Sequence, residues 1–259
     1  MKYVVIVGDG MADEPLEELG GKTPLASAKT SHIDTLARIS EIGMVHTIPK
    51  GMKTDSDIAN LSILGYNPKA CIKMNDENDE YTIELEDFYT KTGKKGAVIT
   101  ECDFLAGMAE KAGMSVIKVE KIPGECKAEY IAKKDAAVKA LFEDDNDFVY
   151  IHIQTPDEMS LLGNVEKKIK SIEHIDAYIV GPLVEEIQGR DVEFRLLVMP
   201  DHPTFVRIKE RTSDAVPYML FDSTLEVDSN KAYSEKTARK TDNYYDEGYF
   251  LFNHFLELD

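Results

Sequence analysis

The sequence has no apolar run that approaches the roughly 20 residues a membrane helix needs. Its first apolar stretch, YVVIVG from Tyr3, reads as a buried strand rather than a signal peptide. The expected location is the cytoplasm, with no membrane partner. Cysteine is scarce. Cys71, Cys102 and Cys126 are odd in number and widely spaced, which fits neither a disulfide framework nor a CxxC zinc site, so reduced structural thiols are expected. Basic residues are short as well: 30 Lys and Arg stand against 48 Asp and Glu, a formal net charge of −18. A field of that sign repels nucleic acid and anionic membranes, whose binding relies on clustered Lys and Arg. It also slows the approach of a phosphorylated metabolite unless bound cations or a local basic patch reverse it near the site. An acidic enzyme for such a substrate needs its metals.

What is present is an ordinary apolar share of 43% over 259 residues, enough to bury a sizeable core. Strand-like runs at 3–8, 95–100, 115–119, 147–153 and 193–199 alternate with helical patterns at 31–40, 104–113, 129–144 and 164–187. Such alternation predicts an α/β fold, a mostly parallel sheet with helices on both faces. We read one domain over 1–259. Residues 70–92 break the rhythm as an acidic bridge with at most one short strand or helix. Its run NDENDE (75–80) lacks the glycine and spacing of a calcium loop.

In sheets of this kind, ligands collect at the carboxyl ends of the strands. Those ends carry Gly8-Asp9-Gly10, Glu101-Cys102-Asp103, Pro156-Asp157-Glu158 and Pro200-Asp201-His202. Asp9, between two glycines, is either a turn residue or a carboxylate aimed over the sheet edge. Asp201 and His202 pair a carboxylate with an imidazole, the best local signal for zinc or a divalent transition metal, although two flanking prolines also suit an exposed turn. In TDSDIANLSILGYNP (54–68), Asp55 or Ser56 caps a helix, or Ser56 is a nucleophile that a bound metal activates. Asp157 opens a helix whose next turn holds no histidine or aspartate. The histidines at 32, 46, 152, 174 and 254 read as structural.

Taken together, VVIVGDGMADEPLEELGGKTPLASAKTSHIDTLARISEIG, DSDIANLSILGYNP, TPDEMSLLGNVEKKIKSIEHID and DHPT with TSDAVP strongly resemble the cofactor-independent phosphoglycerate mutases, archaeal-type branch, of the alkaline phosphatase superfamily. The likeness implies an alkaline phosphatase-like core, two divalent cations, Mn or Zn, and a serine that carries the phosphoryl group. Asp9, Ser56, Asp201 and His202 match one whole metal site. Of the second, only Asp157 matches; Leu161 and Arg211 stand where the family has histidines. The Arg211 guanidinium would put a fixed positive charge, and phosphate affinity, where a metal sits in relatives. The family's inserted substrate domain has no counterpart here beyond the 70–92 bridge, and without a lid a phosphoenzyme is open to water. Two readings follow. One is a one-metal enzyme that hydrolyses a small phosphorylated metabolite through phosphoserine. The other is a silent homologue that binds a metabolite or a protein, with homo-oligomerisation left open.

Overall fold

The computed structural model describes residues 1–74, 81–119 and 126–258. Twelve strands are found among them: β1 (Lys2–Gly8), β2 (Glu41–Val45), β3 (Ile72–Met74), β4 (Tyr81–Ile83), β5 (Gly96–Ile99), β6 (Ser115–Ile117), β7 (Phe148–Ile153), β8 (Phe194–Met199), β9 (Thr204–Phe205), β10 (Glu210–Arg211), β11 (Val216–Asp222) and β12 (Tyr244–Tyr245). Eight of these form one sheet in the order β12-β2-β11-β8-β1-β7-β5-β6. The pairs from β8 through β1, β7 and β5 to β6 are parallel, whereas β11 runs antiparallel to both β8 and β2. The expected mostly parallel sheet is present, and β2, β11 and β12 extend it beyond the five strands the sequence predicts.

Strand β1 shows how the sequence builds the layers. Its side chains alternate in direction, so Val4 and Ile6 enter one apolar cluster and Tyr3, Val5 and Val7 the other. The first cluster is closed by Ile33 and Leu36 of helix Ser31–Ala37, by the helix Cys126–Phe142, and by Ile172 and Ile175 of helix Val165–Ile175. The second is closed by Leu61 of helix Ser56–Ile63, Leu105 of helix Asp103–Lys111, and Phe252 and Phe255 of helix Gly248–Leu256. Burial on both faces explains why the central strands read as unbroken apolar runs. The helix predicted over 164–187 is interrupted at Asp176–Val180 by a wider π-type turn before it resumes at Gly181–Gln188.

The bridge holds more structure than predicted. Helix Pro68–Cys71 leads into the β3–β4 hairpin, where Ile72 pairs with Ile83, and helix Phe88–Thr92 follows. The acidic run at 75–80 lies outside the described residues. Among the described residues, no helix is long and apolar enough to cross a membrane.

Candidate functional site

The carboxyl ends of β1, β7 and β8 lie side by side in the sheet, and their loops carry the acidic groups. After Gly8 the chain turns through Gly10 at φ +61°, a left-handed conformation that favours glycine. A Cβ at Gly10 would run into Thr204 and Asp157. The turn leaves Asp9 buried at the sheet edge, 2% exposed. From the end of β8, Asp201 Oδ1 accepts hydrogen bonds from the amides of Gly10 (3.0 Å) and His202 (2.8 Å).

Helix Ser56–Ile63 settles which residue caps it. Asp55 is the cap and accepts from the Asp57 amide at 3.2 Å. Ser56 is therefore free of capping, and its Oγ donates to Asp201 Oδ2 at 2.6 Å. One turn on, the Asn60 amide donates to Ser56 Oγ (3.0 Å) and to Asp201 Oδ2 (3.1 Å). Tyr150, from β7, in turn donates to Asn60 Oδ1. Asn60 and Tyr150 were not singled out from sequence, although the i, i+4 spacing from Ser56 to Asn60 on a helix was a usable signal.

His152, read as structural from sequence, belongs to the cluster. Its Nε2 lies 3.5 Å from Asp9 Oδ2, while His202 Nε2 lies 3.2 Å from Asp9 Oδ1. Both rings are held the same way, by a threonine hydroxyl at Nδ1: Thr100 for His152 and Thr204 for His202, each at 3.2 Å. That contact leaves each Nε2 turned toward Asp9, as second-sphere groups orient metal-binding imidazoles. Asp9 Oδ1, His152 Nε2 and His202 Nε2 are buried without a hydrogen-bond partner. Buried polar atoms are ordinarily satisfied. Ligand atoms of Asp9, His152 and Asp201, and separately of Asp9, Asp157 and His202, lie within 4.8 Å of one another. Carboxylates, imidazoles and a hydroxyl converging in this way fit a divalent cation.

Asp157 is engaged differently. Arg211 Nη2 donates to its Oδ2 at 2.6 Å and Arg211 Nε lies 3.4 Å from its Oδ1, which also accepts from Thr204 Oγ1 at 2.5 Å. The guanidinium thus lies in the cluster rather than in open solvent. Leu161, one turn beyond Asp157 on helix Thr155–Leu161, is 40% exposed and offers no ligand atom.

Charge settles unevenly over these groups. Burial raises Asp201 to a pKa of about 6, helped by the neighbouring Asp9 carboxylate. Burial works against charge on His202, but Asp201 and Asp9 outweigh it and raise the pKa to about 9. Burial likewise opposes charge on Asp9, yet the two imidazoles hold its carboxyl well below the usual range. Asp57, beside Ser56, is pushed up to about 6 by burial and by Asp55. Beneath the cluster, the buried Lys168 ammonium donates to Asp13 Oδ2 (2.7 Å), Thr204 O (2.8 Å) and Ala12 O (3.2 Å), tying the loops after β1 and β8 to one helix.

The fold and the cluster are those of a metal-binding α/β class. A family model for the metalloenzyme superfamily matches residues 1–243, and the chain belongs to that superfamily. Within it the relatives are narrower in kind. The chain is 28% identical over 401 residues to a probable 2,3-bisphosphoglycerate-independent phosphoglycerate mutase of Geobacter sulfurreducens, covering 99% of this chain and 100% of that one. Because this chain has 259 residues, that relative carries stretches without counterpart here, as expected of a shortened member. Among solved structures, a protein of Pyrococcus horikoshii superposes with a TM-score of 0.84 at 21% identity, covering 99% of this chain and 96% of that one. The cofactor-independent phosphoglycerate mutase of Thermoplasma acidophilum does so at 0.73 and 16%, covering 100% of both. The alkaline phosphatase of the Antarctic bacterium TAB5 reaches 0.57 at 11%, covering 99% and 96%. These structural likenesses establish the alkaline phosphatase-like fold.

Proposed function

We propose that the chain is a cytoplasmic phosphoryl-transfer enzyme that hydrolyses a small phosphomonoester through a phosphoserine at Ser56, with one divalent cation, Mn or Zn. The observation that carries this reading is Ser56 Oγ, held 2.6 Å from Asp201 beside the unpartnered buried atoms of Asp9, His152 and His202. Asp9, Ser56, Asp201 and His202 would hold the cation, with His152 alongside. When bound, it lowers the hydroxyl pKa and offsets phosphoryl charge.

The chain's own groups do the positioning. Asp201 and Asn60 fix Ser56 Oγ from two sides, and Tyr150 fixes Asn60. Arg211, anchored by Asp157, presents a permanent positive charge to the phosphoryl oxygens in place of a second cation. On the reading that the bridge at 70–92 replaces the family's inserted substrate domain, water reaches the phosphoserine, and hydrolysis replaces transfer to a neighbouring hydroxyl.

The engagement of both Asp157 oxygens favours a second reading, a silent homologue that binds an anionic metabolite or a protein without turnover. Hydrolysis of 4-nitrophenyl phosphate by the manganese- or zinc-loaded chain and by Ser56→Ala separates the two. Turnover that Ser56→Ala abolishes supports the enzyme. Equal background rates refute it.

A further inference from the structure

One cavity adjoins the nucleophile. It measures about 560 Å³, within the roughly 300–1,000 Å³ of small-molecule sites. Asp55 and Asp57, the residues on either side of Ser56, both line it. Apart from Gly51, Lys53 and Lys69, its remaining wall is apolar: Met52, Ile58, Leu61, Ile72, Ile83 and Phe104. Ile72 and Ile83 are the paired residues of the β3–β4 hairpin, so the bridge itself builds one side of the chamber.

The two lysines that line it each face a carboxylate. Lys53 Nζ lies 3.5 Å from Asp55, and Lys69 Nζ lies 3.3 Å from Glu247. Among the described residues, the cations that line the cavity are Lys53 and Lys69, and no arginine does. A second carboxylate on the substrate, such as the one phosphoglycerate carries, would meet Asp55 and Asp57 and would have to compete with Asp55 and Glu247 for the two lysines. An uncharged apolar group would instead leave water for the isoleucine and phenylalanine surface.

We infer that this cavity receives the apolar, uncharged moiety of the substrate, making the preferred substrate an aryl or apolar alkyl phosphomonoester. The inference rests on the phosphoryl-transfer reading of Ser56. In the reaction, the bond from Ser56 Oγ to phosphorus forms as the ester bond to the alcohol breaks. The hydroxyl proton leaves with the alcohol, and water then cleaves the phosphoserine to inorganic phosphate.

The test measures equilibrium binding of 1-naphthyl phosphate, 3-phosphoglycerate and inorganic phosphate to manganese-loaded Ser56→Ala chain by calorimetry, beside turnover of the two esters by the unaltered chain. Burial of the ring predicts binding of naphthyl phosphate at least about tenfold tighter than either other anion. Adding Phe104→Asp should erase that advantage and leave inorganic phosphate binding as it was, and Ile83→Asp should do the same if Phe104→Asp does not fold. Equal binding of all three anions, with Ser56-dependent turnover intact, overturns the inference alone. Absence of Ser56-dependent turnover overturns the underlying reading, and the inference falls with it.

Discussion

Two halves of one cluster are satisfied in different ways. On the Ser56 side, Asp9 Oδ1 and the Nε2 atoms of His152 and His202 are buried with no hydrogen-bond partner. On the Arg211 side, Asp157 is filled by a guanidinium and a hydroxyl from the chain itself. The first arrangement leaves Asp9 and the two imidazoles in ion-pair reach of one another but without a hydrogen bond between them, a set that a bound cation would complete. The second is complete without a ligand. On the proposed function, the contrast separates a position open to an exchangeable cation from one whose positive charge is built into the polypeptide.

The largest expected effect breaks the open half. Asp9→Asn removes the carboxylate that faces both imidazoles and should weaken manganese binding by more than about 100-fold in a calorimetric titration, since even outer-sphere changes cost tenfold or more. Converting the closed half is the sharper experiment. The double substitution Leu161→His with Arg211→His restores two imidazoles near Asp157, and equilibrium dialysis should then find a second manganese per chain.

Smaller effects map the supports of each half. Lys168→Met strands Asp13 in the interior and should cost about 3–5 kcal/mol in chemical denaturation. Arg211→Ala should weaken inorganic phosphate binding roughly tenfold, the worth of a charge-assisted hydrogen bond, while manganese affinity at the open half stays within a few-fold. Tyr150→Phe removes only the bond that orients Asn60 and should lower turnover by an amount equivalent to about 1 kcal/mol, leaving phosphate affinity unchanged.

A pair remote from both halves serves as a control. His254 Nε2 lies 3.2 Å from Glu41, which raises the histidine pKa above its ordinary value of 6.5. With the folded value raised, this contribution is fully present below about pH 6.5 and is lost as pH rises through the folded value. The exposed pair is worth less than about 1 kcal/mol. His254→Gln should remove that fall in stability above pH 6.5 without altering metal or phosphate binding.

How far the sequence foretold this arrangement differs by residue. Asp9, Asp157, Asp201 and His202 were visible because each follows a strong apolar run, and the structure brings them together. Asp55 and Ser56 each looked like a cap, and only the hydrogen bonds of Asp55 to the Asp57 amide and of Ser56 to Asp201 separate the roles. His152 was hidden inside the run FVYIHI, where alternation alone does not say which strand end meets the loops. Strand β11 escaped notice because Pro217 argues against a sheet interior, where a strand loses a donor; opposite Met44 the chain accommodates it. Lys168 was not singled out from the sequence, and its full burial depends on the loops that close over it. The bridge betrayed its composition but not its hairpin, since Ile72 and Ile83 pair across the intervening acidic run.

Cation stoichiometry tests the contrast between the halves most directly. Elemental analysis after equilibrium dialysis against manganese or zinc should find one ion per chain, and none above background in an Asp9→Asn, Asp201→Asn double variant. Two ions in the unaltered chain, or none, would contradict a site with one open position and one permanent guanidinium.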